Sequence, residues 1–204
     1  DQVFTKLFLK IISPCFKHII SDKCLHLLGP NGVKVAIKKT IAALETGQYR
    51  YFARFDVKDF YASIDRKILL SMLNKHFDDP RTLDYLQQIV TVPVIKNAAI
   101  INPSKGIPRR SSISNFFGAL YLSPIDKLFE NNPNIFYLRY QDDWIVLAKN
   151  KKQLAKAKRK IKNCLTQLKL QLSPTKTKIG ACNDVFHFLG AEFSLAVEQK
   201  QRAK

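Results

Sequence analysis

The stretch Phe136-Tyr-Leu-Arg-Tyr-Gln-Asp-Asp-Trp-Ile-Val-Leu-Ala148 decides the fold of this chain. Apolar and aromatic residues alternate with others up to Tyr140, and an almost wholly apolar run follows from Trp144. Short runs of this kind predict two β-strands, and the Gln-Asp-Asp between them predicts a hairpin turn. The adjacent carboxylates Asp142 and Asp143 repel each other, and near a core they must be paired or coordinated. The stretch alone is equally compatible with a metal site and with an acidic turn that faces water.

The composition bounds the class of protein. A length of 204 residues predicts one domain or a tightly joined pair, and a hydrophobic fraction of 46% predicts a globular chain. Lysine and arginine number 34 against 16 acidic residues, for a net charge of +18. Such a surplus attracts a polyanion, and nucleic acid is the first candidate. A ribosome-type structural role or an acidic membrane surface are alternatives, but neither needs carboxylates on an apolar hairpin.

The targeting signals and cysteines are uninformative about chemistry. The chain has no signal-peptide pattern and no apolar run of membrane-spanning length, so we expect a cytoplasmic protein without membrane contacts. It begins at Asp1 without an initiator methionine, which suggests a fragment. Its four cysteines lack the spacing of a zinc site or a disulfide framework, which favours buried or idle thiols.

Hydrophobic periodicity predicts the other elements. Pro14 is expected to interrupt the first helix, Gly47 to end the second, and Asp65 and Ser114 to cap two others. Residues 91–113 are expected to be irregular. This order of elements favours an α+β fold in which helices back an antiparallel sheet. The predicted helices cover about 3–20, 33–44, 65–77, 81–90, 115–130 and 150–169, and the predicted strands 51–57, 136–140, 144–148 and a pair at 185–195.

A third carboxylate lies near the end of the strand at 51–57. A sheet can bring Asp56 beside Asp142 and Asp143, although they are far apart in the sequence. Three carboxylates would suit Mg²⁺, which takes oxygen ligands, and two such ions can clamp the attacking and leaving oxygens of a phosphoryl transfer. The basic charge and the carboxylates therefore both indicate nucleotidyl transfer on nucleic acid.

Five segments, in the right order over residues 50–195, resemble the motifs of reverse transcriptases. Each segment is weak alone, but together they form a strong signal that is similar to bacterial group II intron-like enzymes. The resemblance implies a polymerase right-hand palm with a catalytic Asp-Asp hairpin. The segments are Phe55-Asp-Val-Lys-Asp-Phe-Tyr61 with Ser63-Ile-Asp65, Gly106-Ile-Pro108 with Ser111-Ser-Ile-Ser114 and Leu120–Asp126, Tyr140-Gln-Asp-Asp143, Leu172-Ser-Pro-Thr-Lys-Thr177, and Phe188-Leu-Gly190.

The resemblance implies an RNA-directed DNA polymerase. Its partners would be an RNA template, a DNA or RNA primer and dNTPs, with a cognate structured RNA as a further candidate. Asp56, Asp142 and Asp143 would be the catalytic metal carboxylates, with Asp143 the least certain direct ligand. The backbone carbonyl of Val57 would also reach a metal. Two Mg²⁺ ions would be the cofactors, and Mn²⁺ could substitute for them.

Further roles also follow from the resemblance. Tyr61 would stack under the sugar and exclude a 2′-hydroxyl, and the alternative is a core aromatic. Lys176 would assist the leaving pyrophosphate, although a solvated loop lysine is an equal alternative. Arg109 would join these two in nucleotide binding. The template and primer contacts would be Arg110, Ser111, Tyr140, Leu189 and Gly190.

The resemblance also implies a domain division and leaves alternatives open. Residues 1–48 would be partial, helical fingers, and 49–204 the palm, with a fingers-like insertion at about 78–110 and no thumb. Pro108-Arg-Arg110 stands where the family usually has Pro-Gln-Gly. That departure keeps open untemplated or protein-primed synthesis in a defence system. A catalytically inactive, basic RNA-binding relative is the alternative from a different class.

Overall fold

The computed structural model describes residues 2–16, 18–28, 31–96, 99–108 and 112–195, and it is an α+β fold. The helices are α1 (Gln2–Phe16), α2 (Gly32–Glu45), α3 (Phe60–Ser63), α4 (Arg66–Leu73), α5 (Pro80–Val90), α6 (Ser112–Lys127) and α7 (Lys151–Gln167), with a 3₁₀ turn at His26–Leu28. The strands are β1 (Tyr51–Asp56), β2 (Val94–Lys96), β3 (Ala99–Ile101), β4 (Ile135–Tyr140), β5 (Asp143–Ala148), β6 (Lys178–Ala181), β7 (Phe186–Phe188) and β8 (Ala191–Phe193).

The main sheet is antiparallel and has the strand order β4-β5-β1-β6. Its register places Asp56 opposite Asp143, and Tyr140 opposite Asp143 on the other side. The hairpin turn therefore consists of Gln141 and Asp142, and Gln141 has a positive φ of 55°. The sequence placed Asp143 in the turn. It is the first residue of β5, because a two-residue turn is enough to reverse the chain.

The sheet has a core on each face, as the alternation in β1 predicts. Ala53 and Phe55 belong to a cluster with residues of α6 and α7, whereas Phe52 belongs to a second cluster on the opposite face. The second cluster also contains residues of α2 and of the β7–β8 hairpin. Asp56 follows the alternation of Phe52, so its side chain is on the face that α7 does not cover.

Two predicted helix boundaries were wrong. Pro14 does not interrupt α1, which continues to Phe16. Proline cannot donate to the carbonyl four residues before it, and the hydroxyl of Ser13 donates to that carbonyl, on Lys10, at 3.2 Å. Helix α6 begins before Ser114, which therefore caps nothing.

Other local predictions were confirmed or need correction. Asp65 caps α4 by accepting from the amides of Lys67 and Ile68, and Gly47 follows α2 with a φ of 68°. Residues 91–113 are not wholly irregular, because β2 and β3 form a small hairpin there. Strand β6 was not predicted, since its run Lys178-Ile-Gly-Ala181 is short and carries a glycine.

A fully buried ion pair fixes the Asp-Asp hairpin to α6. The Nε of Arg139 donates to Oδ1 of Asp126 at 2.8 Å, and Tyr137 donates to the same oxygen at 2.7 Å. Arg139 also donates to the carbonyls of Ala119 and Gln141, each at 3.1 Å. The pair thus holds both the strand β4 and the start of the hairpin turn at Gln141.

The four cysteines are free thiols, as expected. Cys24, Cys164 and Cys182 are buried and Cys15 is exposed. Among the described residues, no helix is both long and apolar enough to cross a membrane.

Candidate active site at the Asp-Asp hairpin

The fold brings together the three carboxylates that the sequence singled out. Asp56 ends β1, Asp143 begins β5 opposite it, and Asp142 lies in the turn between β4 and β5. The amide of Val57 donates to the carbonyl of Asp142 at 3.3 Å, which closes the end of the sheet. The loop at Ser173 adds a second backbone tie, because its amide donates to the carbonyl of Asp56 at 2.8 Å.

Asp56 has one carboxylate oxygen without a hydrogen bond. The side chain is buried, and Nζ of Lys176 lies 3.2 Å from both oxygens, but it donates only to Oδ2. Oδ1 is buried and accepts no hydrogen bond. A buried acceptor without a hydrogen bond is costly, and a coordinated cation would satisfy it.

Asp143 is fully engaged by one arginine. Nε of Arg54 donates to Oδ1 at 2.9 Å, and Nη2 donates to Oδ2 at 2.6 Å. The remaining Nη1 donates to the carbonyl of His187, in β7, at 3.2 Å. Both oxygens of Asp143 are therefore used by the protein, which makes this carboxylate the least available of the three for a metal.

The electrostatics of the hairpin favour a bound cation. Burial raises the pKa of Asp142, and the negative charges of Asp56 and Asp143 raise it further, while Lys176 opposes them. Burial also raises the pKa of Asp143, and Arg54 opposes that effect. The ionised carboxylates are thus destabilised here, and a positive charge would relieve them.

The described residues contain no ready-made metal cage. No group of three or more histidine, cysteine, aspartate or glutamate side chains is placed to hold an ion in the described part of the chain. The orphaned oxygen of Asp56 and the half-buried Asp142 nevertheless supply two carboxylates. Mg²⁺ is usually bound by one or two carboxylates, with water and substrate phosphates completing its shell. The residues therefore fit a divalent ion that binds together with a nucleotide.

His26 holds the hairpin turn at Gln141 from a distant part of the chain. The amide of Gln141 donates to Nδ1 of His26 at 3.1 Å, and Nε2 lies 3.1 Å from the carbonyl of Asn115 in α6. Burial lowers the pKa of His26 to about 4, so the ring is neutral at pH 7. Because Nδ1 accepts, the proton is on Nε2 and donates to Asn115.

Sequence reasoning missed His26. It occupies a 3₁₀ turn, and 115 positions separate it from Gln141. A single histidine outside a recognisable spacing carries no local signal. Its partners, the ring of Tyr140 at 5.9 Å and the thiol of Cys24 at 3.4 Å from Nδ1, become visible only in the folded chain.

Tyr61 lies close to the turn. It is half-buried in α3, and its hydroxyl donates to Oδ1 of Asn115 at 3.2 Å. Burial raises the pKa of Tyr61 to about 12, and the charge of Asp142 adds to this effect. Asn115 therefore contacts Tyr61 through its side chain and His26 through its carbonyl.

The loop that precedes α6 is fastened to α3. The amide of Gly106 donates to the carbonyl of Ile64 at 2.8 Å, and that of Ile107 to the carbonyl of Tyr61 at 3.0 Å. Gly106 has a φ of 88°, and a Cβ there would lie 3.3 Å from the Ala62 carbonyl oxygen. Arg109, Arg110 and Ser111 lie outside the described residues.

The remaining predicted contacts lie around this centre and not in it. Leu189 and Gly190 form the turn of the β7–β8 hairpin, with φ values of 52° and 79°. This hairpin reaches the carboxylates through the contact of Arg54 with His187. Tyr140 is half-buried against the His26 ring. Template or primer roles for these residues stay predictions.

Comparisons with known proteins agree with this geometry. The family model described as reverse transcriptase (RNA-dependent DNA polymerase) matches residues 2–193. Protein YkfC of Escherichia coli K12 is 23% identical over 175 residues, which is 69% of this chain and 46% of that protein.

Solved structures of telomerases share the fold. Telomerase from Candida albicans, solved with a fragment of telomeric RNA, superposes with a TM-score of 0.67 at 12% identity. The match covers 94% of this chain and 36% of that one. Apo telomerase from Candida tropicalis gives a TM-score of 0.64 at 16% identity, over 94% of this chain and 38% of that one. The chain thus spans less than half the length of these relatives.

Proposed function

The chain belongs to the reverse transcriptase family, and from this premise we propose that the whole protein catalyses RNA-directed DNA synthesis. In this reaction the 3′-hydroxyl of a primer attacks the α-phosphate of a dNTP, and pyrophosphate leaves. The observation that carries the proposal is the buried Oδ1 of Asp56, which lacks a hydrogen bond beside Asp142. A buried carboxylate oxygen that accepts no hydrogen bond and lies near other carboxylates is suited to a divalent ion.

Asp56 and Asp142 would hold the metal ions. When bound, two divalent ions lower the pKa of the attacking hydroxyl and stabilise the charge on the leaving pyrophosphate. Mg²⁺ is the proposed ion, with Mn²⁺ as a substitute. Asp143 would contribute mainly its charge and its position, because Arg54 uses both of its oxygens.

Two other side chains would act on the nucleotide. Lys176 is paired with Asp56 and its side chain is 63% exposed, so its ammonium group can leave the carboxylate for a phosphate. It would then supply charge, and a proton, to the leaving pyrophosphate. Tyr61 lies near Asp142, and its hydroxyl is anchored by Asn115. An anchored ring can exclude a 2′-hydroxyl by its bulk.

The proposed partners are an RNA template, a DNA or RNA primer and dNTPs. The net charge of +18 supports a polyanionic partner, since neutralising phosphates releases counterions. Binding should therefore weaken steeply as salt is raised. A structured cognate RNA is a further proposed partner of the whole protein.

Primer extension by the full-length protein tests the proposal. A defined RNA template with an annealed DNA primer, dNTPs and Mg²⁺ should give a product whose sequence is complementary to the template. A product unrelated to the template would favour untemplated synthesis, which the Pro108-Arg-Arg110 departure keeps in view. Intact RNA binding without any product, with Mg²⁺ or Mn²⁺, would favour an inactive relative.

A further inference from the structure

A strongly basic surface lies away from the candidate active site. Eleven lysine and arginine residues, and no aspartate or glutamate, occur between Asp143 and Asp184. Seven of them are on α7, and all seven are exposed. Within the described residues none of the seven forms an ion pair. These seven residues form the basic face of α7: Lys151, Lys152, Lys156, Lys158, Arg159, Lys160 and Lys162.

The positive charges on α7 destabilise the helix itself. Lys151 and Lys152 stand in its first turn, where the helix dipole disfavours positive charge. Lys152, Lys156 and Lys160 follow one another at four-residue spacing, so that neighbouring charges repel. A helix chosen only for solubility would mix both signs. A bound polyanion would offset this repulsion.

A groove beside the basic face could receive an uncharged group. It has a volume of about 570 Å³ and runs between α7 and the edge strand β6. Its apolar walls include Tyr51, Leu154 and Ile179, and Ile179 is 48% exposed. Lys151 and Lys158 also line it, and Nζ of Lys151 lies 5.7 Å from the centre of the Tyr51 ring. Positive charge and aromatic surface therefore meet in one place.

This groove is separate from the carboxylates. Tyr51 is at the opposite end of β1 from Asp56, and five residues of strand span roughly 17 Å. Tyr51 and α7 also pack on one face of the sheet, whereas Asp56 follows the alternation of Phe52 on the other. A nucleotide that occupied the groove would therefore not be the one that reaches Asp142.

We propose that the basic face of α7 and the adjoining groove form a second binding surface for single-stranded nucleic acid, with phosphates on the lysines and a base against Tyr51. This combination of a positive track and an aromatic platform is how proteins bind single strands without sequence preference. The surface would hold a flanking or cognate strand while the active site holds the primer end. The inference does not depend on polymerase activity.

Charge reversal tests the surface without weakening the fold. Lys152→Glu/Lys156→Glu keeps one like-charged pair, at 152 and 156, but turns the repulsion between 156 and Lys160 into attraction and places a negative charge in the first turn, so Tm should stay the same or rise. Affinity for a single-stranded 20-nucleotide RNA, measured by fluorescence anisotropy, should fall at least tenfold. The plot of log affinity against log salt should become shallower by roughly 0.7 for each phosphate that the variant no longer neutralises. Lys75→Glu/Arg81→Glu, at exposed positions just after α4 and in α5, is the matched control and should change affinity less than threefold.

Two further experiments distinguish the contribution of the groove to RNA binding from that of the lysine charges and from the active site. Tyr51→Leu should weaken binding of the same RNA without changing the salt dependence. A DNA 20-mer of the same sequence shows whether the surface distinguishes ribose from deoxyribose. Extension of a short pre-annealed primer–template should keep its kcat within about twofold in Lys152→Glu/Lys156→Glu. The proposal is overturned if RNA affinity is unchanged, if kcat falls in parallel with affinity, or if the basic face binds only vesicles that contain phosphatidylserine.

Discussion

Arg54 donates two hydrogen bonds to the carboxylate of Asp143, at 2.9 and 2.6 Å, and a third to the carbonyl of His187. One guanidinium group therefore connects the Asp-Asp hairpin to the β7–β8 hairpin. Its planar fork makes both contacts to the carboxylate at once, which an ammonium group cannot reproduce. The position of Asp143 thus depends on a residue two places before Asp56 in β1.

Arg54→Lys should lower kcat for primer extension by about 10- to 100-fold, because displacing a catalytic group by about 1 Å can cost about 10²-fold. The KM for dNTP should change by less than about threefold, since Arg54 does not face the substrate in this account. Arg50→Lys, at an exposed position of the preceding loop, is the control. Equal rates for wild type and Arg54→Lys would show that the fork does not position Asp143.

Asp142→Asn should raise Tm at pH 7 when no divalent ion is present. Burial raises the folded-state pKa of Asp142 above its unfolded value, so the ionised form costs stability above the folded pKa. That cost fades as pH falls towards the unfolded pKa of about 3.9, and the gain of the variant should fade with it. A gain of about 1 kcal/mol corresponds to about 2–4 °C for a domain of this size.

Measuring Tm by calorimetry at increasing Mg²⁺ concentrations separates this electrostatic effect from a structural one. Mg²⁺ should raise the Tm of the wild type more than that of Asp142→Asn, because the variant has lost one proposed ligand. A lower Tm for Asp142→Asn at pH 7 without metal would contradict the electrostatic account.

Two substitutions at His26 distinguish its two contacts. Asn places an acceptor near the Nδ1 position and can keep the bond from Gln141, whereas Gln places a donor near Nε2 and keeps only the bond to Asn115. His26→Gln leaves the Gln141 amide without an acceptor, which costs about 1–3 kcal/mol. If the active geometry of the turn loses this energy, kcat should fall tenfold or more. His26→Asn should retain kcat within about threefold. If both variants lose kcat and Tm equally, His26 acts only through packing.

Removing one partner of the buried pair should destabilise the whole fold. Arg139→Met leaves the carboxylate of Asp126 buried without its cation, and the free energy of unfolding should fall by about 3–5 kcal/mol. Replacing both, in Asp126→Leu/Arg139→Met, should recover part of this loss. Urea denaturation measures the free energy of unfolding of both variants. A decrease below about 1 kcal/mol for Arg139→Met would show that the buried charge of Asp126 is compensated elsewhere.

The main features of the fold were predictable because they depend on local patterns. The alternation in residues 51–57 and the apolar flanks of the Asp-Asp pair identified the two central strands. The proximity of the three carboxylates followed from these strands, because a sheet can join residues that are distant in the sequence. Asp65 was predictable as a cap because its short side chain reaches the first free amides of α4.

The parts that were missed depend on contacts between distant segments. The role of Arg54 was missed, because nothing in the sequence shows that its side chain reaches Asp143 on the neighbouring strand. His26 is invisible for the same reason. Pro14 was misjudged because the hydroxyl of Ser13 takes the carbonyl that proline leaves free. The domain division and the roles of Arg109 and Arg110 remain predictions.

The most direct test of the central claim is primer extension by Asp142→Asn in the full-length protein. The assay uses a defined RNA template, a labelled DNA primer, dNTPs and Mg²⁺, with RNA affinity measured on the same preparations. If Asp142 holds a metal ion at the active site, the wild type should give template-complementary product and Asp142→Asn no detectable product, with RNA affinity within about threefold of wild type. Extension by Asp142→Asn at the wild-type rate would contradict the assignment of the catalytic site.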